Sequence, residues 1–142
     1  LPRTMEYLET KGVPVVGYQT KVLPAFYTRT TDIALQMYED TPEGLAQLIA
    51  TKDALGLGGG VLVVNPIPEN DSLAPEYINQ IIDEAILEAN QDHIEGKDVT
   101  PYLLAKIVEK TEGKSLKSNL ALVYNNAIVG ALLASAYEKI NR

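Results

Sequence analysis

What this chain lacks narrows its chemistry before any motif is considered. It contains no cysteine, which excludes disulfides and thiolate metal sites within these residues. Its single histidine, His93, leaves no second imidazole for a histidine metal cluster. No strictly apolar run approaches the roughly 18 residues of a bilayer span, and no secretory signal is recognisable. We therefore expect no membrane partner and a cytoplasmic location.

Basic charge is also scarce. Lysine and arginine total 12 against 19 aspartate and glutamate residues, a formal net charge of −7 over 142 residues. Proteins that bind nucleic acid through phosphate contacts present basic surfaces, so no nucleic-acid partner is expected. A hydrophobic content of 46% and a charged content of 22% are typical of a soluble globular domain.

The most informative segment is residues 55–69, LGLGGGVLVVNPIPE. The glycines could form a phosphate-binding loop, but such loops run from strand to helix and these run from helix to strand. A helix C-cap followed by close helix–sheet packing is the better interpretation. The apolar run at 60–65 predicts a strand buried on both faces. Ligands of open α/β sheets usually bind just beyond such strands, so the predicted site-lining loop comprises Asn65, Pro66, Ile67 and Pro68.

The remaining pattern predicts strands and helices that alternate early, followed by a helical carboxyl-terminal region. Prolines at 42, 75 and 101 mark helix starts, and a long last helix follows Ser115 as N-cap. The predicted fold class is α/β, a three-layer α/β/α arrangement with a mostly buried, partly parallel sheet. Two or three strands do not make a stable sheet alone, so upstream chain or a partner subunit is expected to complete it.

Two polar groups could supply chemistry. Glu69 and Asp71 could act as paired acid and base, although loop carboxylates two residues apart are usually solvated. Asn119, Asn125 and Asn126 lie in the predicted last helix. Each could satisfy a nearby backbone group, or Asn119 could present its amide donors and acceptor to a nucleobase edge.

Four stretches of the sequence resemble the pseudouridine-5′-phosphate glycosidase family, also called the indigoidine synthase A-like family. They are TMEYLETKGVPVVGY, LPAFYTR, ALGLGGGVLVVNPIPE and GKDVTPYLLAKIVEKTEGKSLKSNLALVYNNAIVGALLA. The resemblance covers nearly the whole chain and is weakest over residues 28–40. It implies that residues 1–142 are the carboxyl-terminal part of a single glycosidase domain whose upstream half is absent.

The resemblance also implies an activity. Members of the family reversibly cleave the C–C glycosidic bond of pseudouridine 5′-phosphate to uracil and ribose 5-phosphate, a lyase or hydrolase reaction of nucleotide catabolism. The family uses a lysine nucleophile that forms a Schiff base, a glutamate proton donor and a divalent metal, typically manganese. Its members assemble as homotrimers.

The same resemblance distributes these roles along the chain. The nucleophile, the proton donor and the metal ligand match positions upstream of Leu1, so no catalytic or metal-binding residue is expected in this chain, which alone should be inactive. Asn119 matches an asparagine that contacts the pyrimidine. The alternative is a non-catalytic assembly or binding module that retains the fold. A sugar or nucleoside kinase is disfavoured, because the chain has no strand-to-helix glycine loop.

Overall fold

The computed structural model describes residues 2–25 and 27–140. Over these residues the chain forms five α-helices and three β-strands, arranged as strand and helix in alternation and then as consecutive helices. In chain order they are α1 (Pro2–Thr10), β1 (Val15–Tyr18), β2 (Met37–Glu39), α2 (Pro42–Ala54), β3 (Leu62–Val64), α3 (Pro75–Gln91), α4 (Val99–Lys110) and α5 (Lys114–Ile140). The predicted α/β class with a helical carboxyl-terminal region is confirmed.

The described strands form a parallel sheet in the order β2-β1-β3. Val16 on the central strand pairs with Met37 on one side and with Val63 on the other. Val16 is fully buried, whereas both outer strands have one edge that no described strand covers. Gly17 is required in β1, because a Cβ atom there would overlap the carbonyl oxygen of Thr20.

β3 is not buried on both faces, and that part of the sequence interpretation is wrong. Leu62 is 39% exposed and the other two residues are half-buried. The apolar run did indicate a strand, but the strand lies at the edge of the described sheet, where one side has no neighbour. The Pro66 and Pro68 loop follows as predicted, because proline donates no ladder hydrogen bond.

The predicted cap at the start of α2 is confirmed. The hydroxyl of Thr41 accepts a hydrogen bond from the Gly44 amide at 3.1 Å, and Pro42 occupies the first turn. Gly56 ends the helix with a left-handed φ of 69°. The close helix–sheet packing expected of the glycine cluster is not found, since Cβ atoms at Gly58 and Gly60 would meet nothing within 4 Å.

The apolar core of the sheet is built with α2 and α5. One buried cluster consists of Val16, Tyr18, Leu45 and Val129, and Val63 of β3 packs against it. The α3–α4 pair buries a separate cluster that contains Tyr27, Ile78, Ile81, Ala85 and Ile107. Ile86 on α3 is 41% exposed and does not belong to this cluster.

The last helix differs most from expectation. α5 begins at Lys114, so Ser115 lies inside the first turn, where its side-chain oxygen accepts a hydrogen bond from Thr111 at 2.9 Å. Hydrophobic spacing predicts an inward stripe that consists of Leu116, Leu120, Val123, Ala127, Ile128, Ala131 and Leu132, but all of these residues are exposed. The buried positions are Ser115, Ser118, Val129 and Ala136. The helix has two apolar sides, and hydrophobic spacing alone does not tell which one packs on the sheet.

α5 also departs from the expectation that no segment reaches membrane-spanning length. Its 27 residues are long and apolar enough, by length and composition, to cross a membrane. Asparagine and serine interrupt every strictly apolar run without lowering the average hydropathy to that of a solvated helix. Core helices of soluble proteins meet the same criterion, so this property by itself does not place the chain in a membrane.

Candidate functional site

The loop that follows β3 lies along the first half of α5. The Asn125 amide donates to the Pro66 carbonyl at 3.3 Å, and the Ser118 hydroxyl donates to the Asp71 carbonyl at 2.6 Å. Residues 66 and 71 thus contact the helix two turns apart, which fixes the loop antiparallel to α5. The structure therefore brings together the two segments in which the sequence placed site residues.

A third hydrogen bond holds the loop, and it comes from Arg29 rather than from α5. The Arg29 guanidinium donates from Nη1 to the Ile67 carbonyl at 2.5 Å, and the Ile67 side chain is fully buried. Pro66 is also buried, whereas Pro68 is half-buried and precedes a short 3₁₀ turn at Glu69–Asp71. Burial of Pro66 and Ile67 thus holds the loop in place, whereas Asn65 lines a groove on the surface of the protein.

An open groove of about 500 Å³ lies where β3 ends. Its wall is mainly apolar and comes from residues 23–25, the end of β3 and the middle of α5. The polar side chains on it are the amides of Asn65 and Asn126. Within the described part of the chain, the buried Nδ2 of Asn65 has no hydrogen-bond partner. A buried donor left unpaired is costly, so this amide is suited to a ligand or to further polypeptide that supplies an acceptor.

Asn119 lies on the same side of α5 as Leu122 and Asn126, which line the groove. Seven residues of helix separate Asn119 from Asn126, or about 10 Å along the axis. Asn119 is half-buried, and no described residue forms a hydrogen bond with its amide. The backbone-satisfying role applies to Asn125, whereas the Asn119 amide is available to a ligand.

The lysines that could be mistaken for a nucleophile have other contacts. Lys52 donates from Nζ to the Leu57 carbonyl at 2.6 Å and lies 3.7 Å from Asp53. The ammonium groups of Lys11 and Lys21 lie over the rings of Tyr7 and Tyr38. Across residues 2–25 and 27–140, no group of three or more histidine, aspartate or glutamate side chains is placed to hold a metal ion.

The shifted pKa values lie outside the groove. On the α3–α4 surface, hydrogen bonds from Lys110 and Lys106 lower the pKa of Glu88, and the same contacts raise the pKa values of both lysines. Burial raises the pKa of Tyr27, whose ring belongs to the α3–α4 core. Both features are explained by packing and ion pairing, so neither marks a catalytic centre.

Sequence reasoning missed part of the groove. Residues 23–25 line it, but the region from 19 to 40 carries no clear periodicity and gave no sign of a role. Asn126 is one of three asparagines in the last helix, and composition alone does not distinguish it from Asn125. Its spacing of seven from Asn119, two turns on one helix face, is the signal that joins them.

Comparison with known proteins assigns this fold to a family. Residues 1–136 match the family described as indigoidine synthase A like protein. The pseudouridine-5′-phosphate glycosidase of Staphylococcus aureus (strain MW2) is 56% identical to this chain over 99% of its residues. The pseudouridine-5′-phosphate glycosidase of Glaesserella parasuis is 58% identical over 98% of them. In both cases the match covers 46% of the relative, so the chain spans about half the length of these curated relatives.

Solved structures agree with the sequence match. The prealnumycin C-glycosynthase AlnA, determined in complex with ribulose 5-phosphate, superposes with a TM-score of 0.89 at 31% identity. That match covers 99% of this chain and 46% of AlnA. An indigoidine synthase A-like protein of Thermotoga maritima superposes with a TM-score of 0.77 at 33% identity, over 98% of this chain and 44% of that one.

Proposed function

Because the chain belongs to the indigoidine synthase A-like family, we propose that it is the carboxyl-terminal part of a pseudouridine-5′-phosphate glycosidase. The reaction is reversible cleavage of the C–C glycosidic bond to give uracil and ribose 5-phosphate, a lyase reaction of nucleotide catabolism in the cytoplasm. The observation that supports this most strongly is identity above 50% to glycosidases over nearly all of these residues. AlnA, a C-glycosynthase that binds a sugar phosphate, supports the same class of chemistry.

In this proposal the groove and the first half of α5 hold the base. Asn119 offers two N–H donors and a carbonyl acceptor, which complement the alternating carbonyl and N–H groups of a uracil edge. The 66–71 loop, fixed by Ser118 and Asn125, keeps the wall of the site rigid while the base departs. Rigid placement of a recognition group contributes to catalysis because no ordering is needed during the reaction.

The bond-breaking groups are proposed to lie in the half of the relatives that this chain does not match. There a lysine amine attacks C1′ and the bond from C1′ to the ring oxygen breaks, which opens the sugar ring. The C–C bond from C1′ to the base then breaks, which leaves a Schiff base between C1′ and the lysine, and a glutamate protonates the base carbon that receives the electron pair. The proposed manganese is assigned to that half as well, because the family resemblance implies that its ligand matches a position upstream of Leu1. The proposed assembly is a homotrimer, which size-exclusion chromatography with light scattering on the full-length enzyme tests.

The deciding experiment measures uracil release from pseudouridine 5′-phosphate. We expect no turnover from the 142-residue chain alone, and turnover when it is combined with the amino-terminal half of the Staphylococcus aureus relative. Borohydride reduction during turnover should fix the sugar to a lysine of that amino-terminal half. An adduct on any lysine between positions 1 and 142, or turnover by this chain alone, would contradict the proposed division of roles.

A second candidate function is a non-catalytic assembly module that keeps the same fold. The many large apolar side chains exposed on α5 favour it, because such surfaces are typical of protein–protein contacts. Titration of the combined halves with uracil and with ribose 5-phosphate distinguishes the enzyme from the non-catalytic module. Binding that depends on Asn119 supports the enzyme, and no binding of either compound supports the module.

A further inference from the structure

α5 is apolar on two opposite sides. From residue 118 to residue 137 it contains no charged residue, a stretch of 20 positions. One side carries Ser118, Val129 and Ala136, which are buried against the rest of the chain. An ordinary surface helix has one apolar stripe and a charged outer face, so α5 does not have the sequence of a surface helix.

The outer face of α5 consists of Leu116, Leu120, Val123, Ala127, Ala131 and Ala134. These residues are four, three, four, four and three positions apart, which places them in one stripe along the helix. All of them are exposed, with Leu120 at 48% and Val123 at 54%. Tyr124 and Ile128 widen the stripe and are more exposed still.

The stripe has the shape that a packed helix requires. It runs from residue 116 to residue 134, about 27 Å, and combines spacings of three and four as helix-packing ridges do. Its first half presents leucine and valine, and its second half presents alanine, which allows a neighbouring backbone to approach closely.

We propose that the outer face of α5 packs against a helix of polypeptide corresponding to the unmatched half of the relatives. The inference rests on the proposed function, in which that half completes the enzyme. More than half the length of the relatives is unaccounted for by this chain, which is enough to cover the face. The sheet supports the same proposal, since β2 and β3 each have an edge that no described strand covers. With that half in place, α5 becomes an interior helix.

Because the chain contains no cysteine, the accessibility of the outer face can be measured by labelling a single introduced thiol. A Val123→Cys variant carries a single thiol on the outer face, and a Lys97→Cys variant carries one on the exposed turn between α3 and α4. Maleimide labelling rates are compared for each variant alone and with a cysteine-free amino-terminal half of the Staphylococcus aureus relative. We expect labelling of the Val123→Cys variant to slow at least tenfold in the complex, with the Lys97→Cys variant unchanged.

Other occupants give different outcomes, and each of them would overturn the inference. Protection that appears in the chain alone and grows with its concentration would identify a second copy. Protection that needs vesicles of anionic phospholipid would identify a bilayer. Ala127→Cys serves as a second reporter in case a polar thiol at residue 123 weakens packing, and a single polypeptide joining the halves replaces the mixture if they do not co-elute.

Uracil release from the same samples separates this inference from the proposed function. Unslowed labelling in a complex that releases uracil contradicts the packing of α5 and leaves the function standing. Slowed labelling in a complex that releases no uracil supports the packing and contradicts the function.

Discussion

The Ser118 hydroxyl donates a 2.6 Å hydrogen bond to the Asp71 carbonyl, across 47 positions of sequence. Ser118 is almost fully buried and Asp71 ends the short 3₁₀ turn after β3. The bond fixes the loop beyond the sheet to the helix that carries Asn119. Recognition of the base in the proposed enzyme therefore depends on a contact that neither segment makes by itself.

Replacing Ser118 tests that contact. Ser118→Ala leaves the half-buried Asp71 carbonyl without this partner, and we expect the free energy of unfolding to fall by about 1–2 kcal/mol. Urea denaturation measures the change, with Ser135→Ala, an exposed serine of the same helix, as the matched control. Equal effects of the two substitutions would show that the hydrogen bond contributes nothing to stability.

Asn119→Ala tests base recognition. Loss of amide hydrogen bonds should weaken uracil binding by the combined halves about 5- to 30-fold, which corresponds to roughly 1–2 kcal/mol. Isothermal titration provides the affinities, and Asn90→Ala, at an exposed position of α3, provides the control. Unaltered affinity in the Asn119→Ala protein would contradict base recognition by Asn119.

Ile78→Ala tests the α3–α4 core. Ile78 is 1% exposed and lies in the buried cluster with Tyr27 and Ile107, so truncation should cost about 2–5 kcal/mol through lost burial and a cavity. Leu87→Ala on the same helix removes a side chain that is 61% exposed, and it should change stability by no more than about 0.5 kcal/mol. A small effect at Ile78 would mean that this cluster is not a packed core.

The α3–α4 ion pairs predict an acid-dependent loss of stability. Lys110 lies 3.1 Å from Glu84 and 2.8 Å from Glu88. Hydrogen bonds from Gln80 and Lys110 lower the pKa of the Glu84 carboxyl, and hydrogen bonds from Lys110 and Lys106 lower the pKa of the Glu88 carboxyl. A lowered carboxyl pKa stabilises the fold above pH 4.5, and this stabilisation is lost as pH falls through the folded-state value. The raised pKa of Lys110 keeps its contribution intact up to about pH 10.5.

A Lys110→Met variant should therefore be less stable than the unmodified chain at pH 7, by a small amount typical of partly exposed pairs. The difference should shrink as pH is lowered from 5 to 3. Thermal unfolding followed by circular dichroism measures it, with Lys97→Met as the control for removing one exposed charge. A difference that persists at pH 3 would assign the effect to the lysine stem rather than to its charge.

Gly17→Ala tests the central strand. The added methyl group would overlap the Thr20 carbonyl oxygen, and relieving that overlap should cost about 1–3 kcal/mol. Gly58→Ala is the matched control, because a Cβ atom there meets nothing within 4 Å and the residue is not in the left-handed region. Its expected effect on the unfolding free energy is within about 0.5 kcal/mol. Equal effects would contradict the close approach at Gly17.

Local chemistry made parts of this fold predictable. Thr41 and Pro42 start α2, and Gly56 ends it, because capping and left-handed φ depend on residues adjacent in sequence. The Asn65–Pro68 loop follows from proline, which cannot extend a ladder. The resemblance to the glycosidase family rested on contiguous motifs and is confirmed by the family match.

What the sequence determined by itself was therefore the family, the α/β class and the ends of its clearest elements. Tertiary structure alone decided which side of α5 is buried, because both sides are apolar and only the position of α2 and β1 distinguishes them. It also decided that β3 lies at the edge of the described sheet, since the same apolar run suits an edge or a centre. The alignment of Asn119 with the 66–71 loop depends on bonds between residues 47 and 59 positions apart, which no local pattern encodes.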